Sequence, residues 1–343
     1  MGKKHVNIPI FIPHLGCPNS CVFCNQRTIS GHGDFDIGQV RNEIDTALST
    51  IGESVSKEIA FFGGSFTGIE RTLMTELLSL AQEYVDNGDV ECIRLSTRPD
   101  YIDDEILSIL SQYSVRTVEL GLQSLDDDVL CASKRGHSKD CAIKACKAVK
   151  EAGFELIGQM MIGLPKSSVK TEIDTAKLIC ELCADGARVY PTVVFADTEL
   201  AKMCECGEYV PLSLEDAVER TKNVLDIFDK HSVPCIRVGL CASENLSDAS
   251  KAIGGATHSA IGEMAMSRLY FERICNELER IGACGGSAIV YVSEGAVSKA
   301  VGQKKENKIK VCEKYQLEWI KVLEKNDISG YNIRIDYFTK EDK

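Results

Sequence analysis

The chain has no excess of basic residues: 39 Lys and Arg face 51 Asp and Glu, a formal net charge of −12 over 343 residues. That balance excludes the long-range basic field of a nonspecific nucleic-acid binder. No apolar run reaches the roughly 18 residues a spanning helix needs, so no membrane segment is expected. The start, Met1-Gly2-Lys3-Lys4-His5, leads into a strand-like run and not into the apolar core of a secretory signal. A cytoplasmic, reducing setting without disulfides is therefore expected. Prolines number only 8, and no proline-rich linker, low-complexity tract or internal repeat divides the chain. Hydrophobic content of 44% and charged content of 26% are ordinary for a globular protein. Cysteine is the exception: 16 residues, a count that fits a reducing cytosol and an anaerobic way of life.

Three of those cysteines stand together near the start. Cys17, Cys21 and Cys24 lie in Gly16-Cys17-Pro18-Asn19-Ser20-Cys21-Val22-Phe23-Cys24-Asn25, spaced Cys-x3-Cys-x2-Cys, after the apolar stretch Val6 to Ile12. Soft thiolates select iron–sulfur clusters, zinc or copper(I). Three on one short loop hold three corners of a cubane [4Fe–4S] cluster and leave the fourth iron open to a substrate or cofactor. Zinc is the competing reading. A structural zinc wants four ligands, but no second Cys-x2-4-Cys or His-x3-5-His pair follows at a zinc-finger interval, and neither His14 nor His32 stands at a ligand spacing.

Short apolar runs alternate with amphipathic segments, the pattern of βα units on a parallel sheet. Strands are expected at Val6–Pro13, Glu58–Phe62, Glu91–Ser96, Thr117–Gly121, Glu155–Ile162, Ala187–Val194 and Pro234–Val238. Helices are expected at Ile37–Ile51, Arg71–Tyr84, Asp103–Gln112, Ser138–Ala152, Ser168–Ala184 and Ser213–His231. In the fifth of these, Val169, Ile173, Ala176, Ile179, Cys180 and Cys183 fall at helical spacing and predict a core-facing stripe. Ser213, followed by Asp216, stands at an N-cap. Six such units suit a partial (β/α)6 barrel, whose chemistry gathers at the C-terminal strand ends. The motifs fall there: the cysteine loop, Gly63-Gly64-Ser65-Phe66-Thr67, Ser96-Thr97-Arg98-Pro99-Asp100, Glu119-Leu120-Gly121-Leu122-Gln123-Ser124 and Ile162-Gly163-Leu164-Pro165. Residues 1–253 read as the barrel, 254–286 as a helical connector with one long helix over His258–Arg280, and 287–343 as a small α+β module.

The cysteine spacing, with an aromatic residue before the third cysteine and a strand before the first, resembles the signature of the radical S-adenosylmethionine (SAM) superfamily. The resemblance implies a partial TIM-type barrel in which the open iron is chelated by the amino and carboxylate groups of SAM. Reductive cleavage then yields a 5′-deoxyadenosyl radical that abstracts hydrogen from substrate, the cofactor carrying the hard chemistry. It implies that Phe23 lies near the adenine and that Gly63, Gly64 and Ser65 receive the SAM amino group. Gln123 and Arg135 match SAM-contacting positions of the coproporphyrinogen-oxidase and elongator branches. Ser96 and Gln159 occupy places where the porphyrin-forming branch carries acids, which argues against a porphyrinogen substrate. Gly163 matches the adenine-side strand end. A low-potential donor such as ferredoxin or flavodoxin is implied as well.

Within the superfamily, residues 5–270 are most similar to the radical SAM half of the elongator catalytic subunit, which modifies wobble uridine in tRNA. The similar runs are Ser96–Tyr101, Glu119–Ser124, Lys134–Ser138, Lys150–Phe154 and Gln159–Pro165. The elongator subunit continues into an acetyltransferase domain, for which these 343 residues leave no room, so acetyl transfer is not carried over. The tail resembles a KH-type RNA-binding module, in which a Gly-x-x-Gly loop between two helices clamps nucleotide backbone. Here the loop reads Gly302-Gln303-Lys304-Lys305 and lacks the second glycine. Residues 296–325 hold eight lysines against four glutamates, +4 locally, which leaves −16 elsewhere. Lys299, Lys304, Lys305 and Lys308 are the expected RNA contacts, against the alternative of a solvated helix face. Tyr291, Tyr315 and Trp319 are expected to pack in the module's core and not to stack bases. Cys180-x2-Cys183 and Cys204-x-Cys206 are read as small buried residues and a loop pair, not a second cluster.

Three functions remain open on these residues. The first is a radical SAM enzyme acting on RNA, with tRNA foremost. The second is one acting on a small metabolite, with the tail as lid or dimer surface. The third is a non-catalytic RNA-binding or regulatory protein that keeps the cluster as a redox element.

Overall fold

The structure, a computed structural model, describes residues 5–12, 16–17, 21–24, 36–240 and 252–339. Pro13, His14 and His32 lie outside the described residues.

Seven strands form one parallel sheet: β1 (His5–Ile12), β2 (Ser56–Gly63), β3 (Cys92–Thr97), β4 (Val115–Gln123), β5 (Glu155–Ile162), β6 (Gly186–Pro191) and β8 (Cys235–Val238). Each pairs with the next in that order, so the sheet curls into a partial barrel. Helices α1 (Ile37–Thr50), α2 (Arg71–Asp86), α3 (Asp104–Leu110), α4 (Asp127–Ala132), α5 (Lys139–Glu151), α6 (Val169–Glu181) and α8 (Leu214–Lys230) lie between successive strands. Alternation puts Ile8, Ile10, Ile12, Ile59, Phe61, Ile93, Leu95, Val118 and Leu120 into one large core, a face that parallel strands bury against helices. Side-chain caps set most helix starts; Ser213 accepts from the Asp216 amide at 3.1 Å, as its position predicts.

Two expectations need correction. The run Ala187–Val194 is not one strand. β6 ends at Pro191, which has no N–H to extend the ladder, and β7 (Val193–Phe195) leaves the sheet to pair antiparallel with β9 (Ala252–Gly255). The apolar stripe of α6 is also displaced: Val169 and Cys183 are exposed, whereas Glu172, Thr175, Ala176 and Ile179 are buried. Glu172 takes the inward position because three donors surround it, as described below.

After α7 (Glu199–Glu205) and α8, the 20-residue helix α9 (Ile261–Arg280) begins beyond a turn in which His258 Nδ1 accepts from the Ala260 amide at 3.1 Å. Its first half, through Ile261, Ala265 and Leu269, packs with Ala217, Val218 and Leu225 of α8. Its second half, through Tyr270, Ile274 and Leu278, enters a separate core. That core is built by β10 (Ser287–Val292), α10 (Val297–Val301), α11 (Glu306–Tyr315), β11 (Trp319–Glu324) and β12 (Arg334–Phe338). β10 is central, parallel to β11 and antiparallel to β12. Among the described residues no helix is long and apolar enough to cross a membrane.

Candidate active site at the strand ends

The loop after β1 is fastened from three sides. A Cβ on Gly16, whose φ is +93°, would stand 2.4 Å from the Ser65 carbonyl oxygen, so only glycine lets this loop lie on the end of β2. The Val22 amide donates to the Ser133 carbonyl at 3.2 Å, and the Val22 carbonyl accepts from the Leu200 amide at 2.8 Å. Val22, with Phe23 beside it, packs into a small apolar cluster with Val194, Leu200, Ala201 and Tyr209.

Cys21 is buried, Cys17 half-buried and Cys24 exposed. Arg135, 7% exposed, donates from Nη1 to Cys21 Sγ at 3.3 Å and from Nη2 to the Gly121 carbonyl at 2.6 Å. Arg98, 2% exposed, donates from Nη2 to the Arg135 carbonyl at 2.6 Å and grips Asp100 through Nε at 2.9 Å and Nη2 at 2.8 Å. Burial pushes the Cys17 thiol above its ordinary pKa, and the charges of Arg135 and Arg98 pull it back. Asp100 loses some solvation, yet the bonds from Arg98 hold its carboxyl below the usual range. Burial, then the charge of Arg135, brings His137 down to about 4.

At the end of β4 the pairing register with β5 slips between Gly121 and Gln123, and Gln123 takes φ 65°. A bulge of this kind re-aims a side chain, and the left-handed backbone costs a non-glycine residue about 1 kcal/mol. Among the described residues, Gln123 Oε1, Arg135 Nε, Arg98 Nη1 and His137 Nε2 are buried with no hydrogen-bond partner. Such groups are costly unless a ligand or water completes them.

Ser65 is fully buried and committed within the chain: its Oγ lies 2.8 Å from Thr97 Oγ1 and accepts from the Arg98 amide at 3.2 Å. Gly63, with φ 108°, leaves only 2.7 Å between a Cβ and the Ile12 carbonyl, so close strand packing alone requires a glycine there. Gly64, Ser96 and Gln159 are half-buried. Ser96 stands opposite Glu119, and Gln159 opposite Gly121 and Arg188, on the face away from the helices. The Gly163 amide donates to Glu172 Oε1 at 2.8 Å and its carbonyl accepts from Tyr209 Oη at 2.6 Å. Glu172 also accepts from Ser167 Oγ at 3.1 Å and Arg220 Nη1 at 3.0 Å, which braces that turn. The four expected RNA-contacting lysines gather elsewhere, around the turn between α10 and α11. Lys304 and Lys305 are exposed there with φ 49° and 64°, and Lys299 and Lys308 are half-buried.

Deeper on the same concave face lies a buried charge ladder that the sequence reading assigned no role. Arg94 donates from Nε to Glu58 Oε1 at 2.6 Å and from Nη1 to Glu119 Oε1 at 2.9 Å. Arg188 donates from Nη2 to Glu119 Oε1 at 2.9 Å, and its Nε lies 2.8 Å from Oε2 without hydrogen-bond alignment. The Arg188 guanidinium also sits 5.3 Å from the Phe62 ring centroid. The signal for it was charged residues at alternating positions inside otherwise apolar strands.

The fit of a thiolate-held cluster follows from the donor chemistry. Three soft donors lie on one loop, two buried guanidiniums flank them, and single atoms of Arg98, Gln123, Arg135 and His137 are buried without partners. Among the described residues no three His, Cys, Asp or Glu converge as a metal site.

A parallel partial barrel with a cysteine loop and unsatisfied polar groups at its strand ends defines a class of α/β enzyme that binds its cofactors at the carboxyl edge of the sheet. Residues 11–179 match the radical SAM superfamily and residues 184–272 the Radical_SAM C-terminal domain, and the chain belongs to that enzyme superfamily. It is 30% identical over 202 residues to the tRNA uridine(34) acetyltransferase of Methanocaldococcus infernus, covering 53% of this chain and 38% of that protein. It is 28% identical over 249 residues to Elongator complex protein 3 of Mus musculus, covering 64% of this chain and 45% of that protein. The chain thus spans less than half the length of these curated relatives. The solved structure of archaeal Methanocaldococcus infernus Elp3 with an N-terminal deletion shares the fold at a TM-score of 0.60 and 22% identity, over 82% of this chain and 64% of that one.

Proposed function

We propose that this chain is a radical SAM enzyme that modifies RNA, with tRNA its first substrate class. Cys17, Cys21 and Cys24 would hold a [4Fe–4S] cluster, with SAM against Phe23, Gly63, Gly64, Gln123 and Arg135 and with Ser96, Gln159 and Gly163 nearer the adenosine. When bound, this pair supplies one-electron cleavage of a sulfonium and a hydrogen-abstracting radical, given a low-potential donor such as ferredoxin or flavodoxin. The chain's own residues do the rest. Arg135 ties the cysteine loop to β4 and places a fixed cation beside Cys21. Arg98 and Asp100 hold the Arg135 backbone in place. Ser65 and Thr97 lock the ends of β2 and β3 together. The Phe23 and Val22 cluster closes one side of the loop against water.

One observation carries the reading: buried, unpartnered donors and acceptors gather beside the cysteine loop, where a polar cofactor would complete them. RNA as substrate is supported by the tRNA uridine(34) acetyltransferase at 30% identity over 202 residues. On this reading residues 1–253 act as the barrel, 254–286 as the connector and 287–343 as an RNA-binding module. The test is anaerobic reconstitution with iron and sulfide, reduction in the presence of SAM and total RNA, and mass spectrometry for 5′-deoxyadenosine and altered nucleosides. Deoxyadenosine formation that RNA stimulates supports the reading. Its absence from protein loaded with iron sinks it.

A further inference from the structure

The small module presents a second surface that none of the expected contacts include. Strand alternation sends Ala288, Val290 and Val292 into the core and puts Ser287, Ile289 and Tyr291 on the opposite face, where Ser287 is 1% exposed and the other two are half-buried. Their partners on β11 and β12 lie on that face with them, in three rows. Trp319 and Phe338 flank Ser287, Lys321 and Asp336 flank Ile289, and Leu323 and Arg334 flank Tyr291. No described element covers this face: Trp319 is 43% exposed and Phe338 38%. The expectation that Trp319 and Tyr291 pack inside is therefore corrected. Only Tyr315 does so, with its hydroxyl on the Cys275 carbonyl at 3.0 Å.

The chemistry of the face is specific. The Trp319 and Phe338 rings approach to 6.4 Å between centroids, and Ser287 Oγ, in the residue between them, is buried with no hydrogen-bond partner. Lys325 Nζ lies 4.6 Å, and Arg334 Cζ 5.3 Å, from the Tyr291 ring centroid. Asp336 beside Tyr291 raises that hydroxyl above its ordinary pKa, and Asp327 meets Arg334 Nη1 at 3.2 Å. Three cations interleaved with three aromatic rings thus lie on an open sheet in a chain of net charge −12. Bases stack on aromatic side chains carried by a sheet while cations follow the phosphates, and that pairing distinguishes single strands from duplexes.

We propose that this sheet face binds single-stranded RNA, with a base taken up at Trp319 and Phe338 over Ser287 and the backbone tracked by Lys321, Lys325 and Arg334. The inference rests on the reading of the enzyme as acting on RNA, and it places the grip on the open sheet, apart from the lysines of the Gly302–Lys305 turn. Trp319 is the single tryptophan of the chain, so its fluorescence reports on this face alone. A short oligouridylate, titrated into the full-length protein, is expected to quench that emission, with a log affinity against log salt slope of about −2 for three cations on a single strand. Phe338→Ala, at an exposed site, is expected to weaken binding on the order of tenfold, as for one lost stacked base. Lys321→Glu with Arg334→Glu is expected to flatten the salt slope, and duplex RNA to quench less. RNA binding that leaves Trp319 emission unchanged overturns the inference, as does quenching that tracks protein concentration without RNA, which makes the face a protein contact. Modified nucleosides with a silent Trp319 sink this inference and leave the enzyme reading standing; quenching without any nucleoside product does the reverse.

Discussion

The concave face of the barrel has a floor and a mouth, and the two treat buried charge in opposite ways. On the floor, Glu58, Arg94, Glu119 and Arg188 neutralise one another, each within hydrogen-bond distance of the next. Arg188 Nε makes no aligned hydrogen bond there but still faces the Glu119 carboxylate at 2.8 Å, whereas at the mouth Arg98, Arg135, Gln123 and His137, also buried, each keep an atom with no hydrogen-bond partner. The same residue types therefore do two jobs. Charges closed among themselves hold strands together, whereas on the proposed reading the incomplete polar groups are the ones a bound cofactor would complete.

Substitutions on the two sides separate these jobs. Cys21→Ser is expected to have the largest effect: reconstituted protein loses its bound iron and its visible absorption, and deoxyadenosine formation stops. Glu119→Gln strikes the floor. It leaves Arg188 a buried cation without a carboxylate, while Arg94 keeps Glu58 at 2.6 Å, and it is expected to destabilise the fold by about 3 kcal/mol, read as a lower denaturant midpoint, while purified folded protein still takes up iron. His137 gives the mouth a signature in pH. The unfolded chain protonates its histidine near the ordinary 6.5, but the folded protein resists until about 4. Stability of the metal-free protein is thus intact above 6.5 and falls as pH drops through that window, by about 3 kcal/mol. His137→Gln is expected to flatten this part of the pH profile in urea titrations. Gln123→Ala should change stability least, by under about 1 kcal/mol, because it removes an atom that was already unpaired. Its mark is weaker SAM binding by calorimetry, on the order of tenfold. If Gln123→Ala proves as destabilising as Glu119→Gln, the contrast between floor and mouth fails.

The parts of this arrangement that were legible in the sequence are those set by local periodicity and short spacing. The run Glu155–Ile162 was read as the strand it forms, and the cysteine loop was read at the end of the first strand, where it lies. What depends on distant partners was not legible. Glu172 sits on a helix whose apolar stripe pointed elsewhere, and only the Gly163 amide, Ser167 and Arg220 explain its burial. Glu119 and Arg188 are 69 residues apart in sequence and meet only because β4, β5 and β6 are neighbours. Ser65 was read toward a cofactor from its place after two glycines; that its hydroxyl meets Thr97 is a contact no spacing rule predicts. Trp319 was misread: a large aromatic was expected inside, and strand parity puts it outside.

One unbroken rod of 20 residues, α9, contributes to two hydrophobic interiors. Tyr331 and Gly330 tighten the joint, the former through its amide on Asp229 of α8 at 3.2 Å and the latter through its carbonyl on Tyr270 Oη at 3.1 Å. Cutting the chain between barrel and module would therefore expose greasy surface on both pieces. A rod of about 30 Å anchored at each end cannot swivel freely, so on the proposed reading a strand held by the outer sheet would sit at a set distance and angle from the barrel, as a workpiece does in a jig.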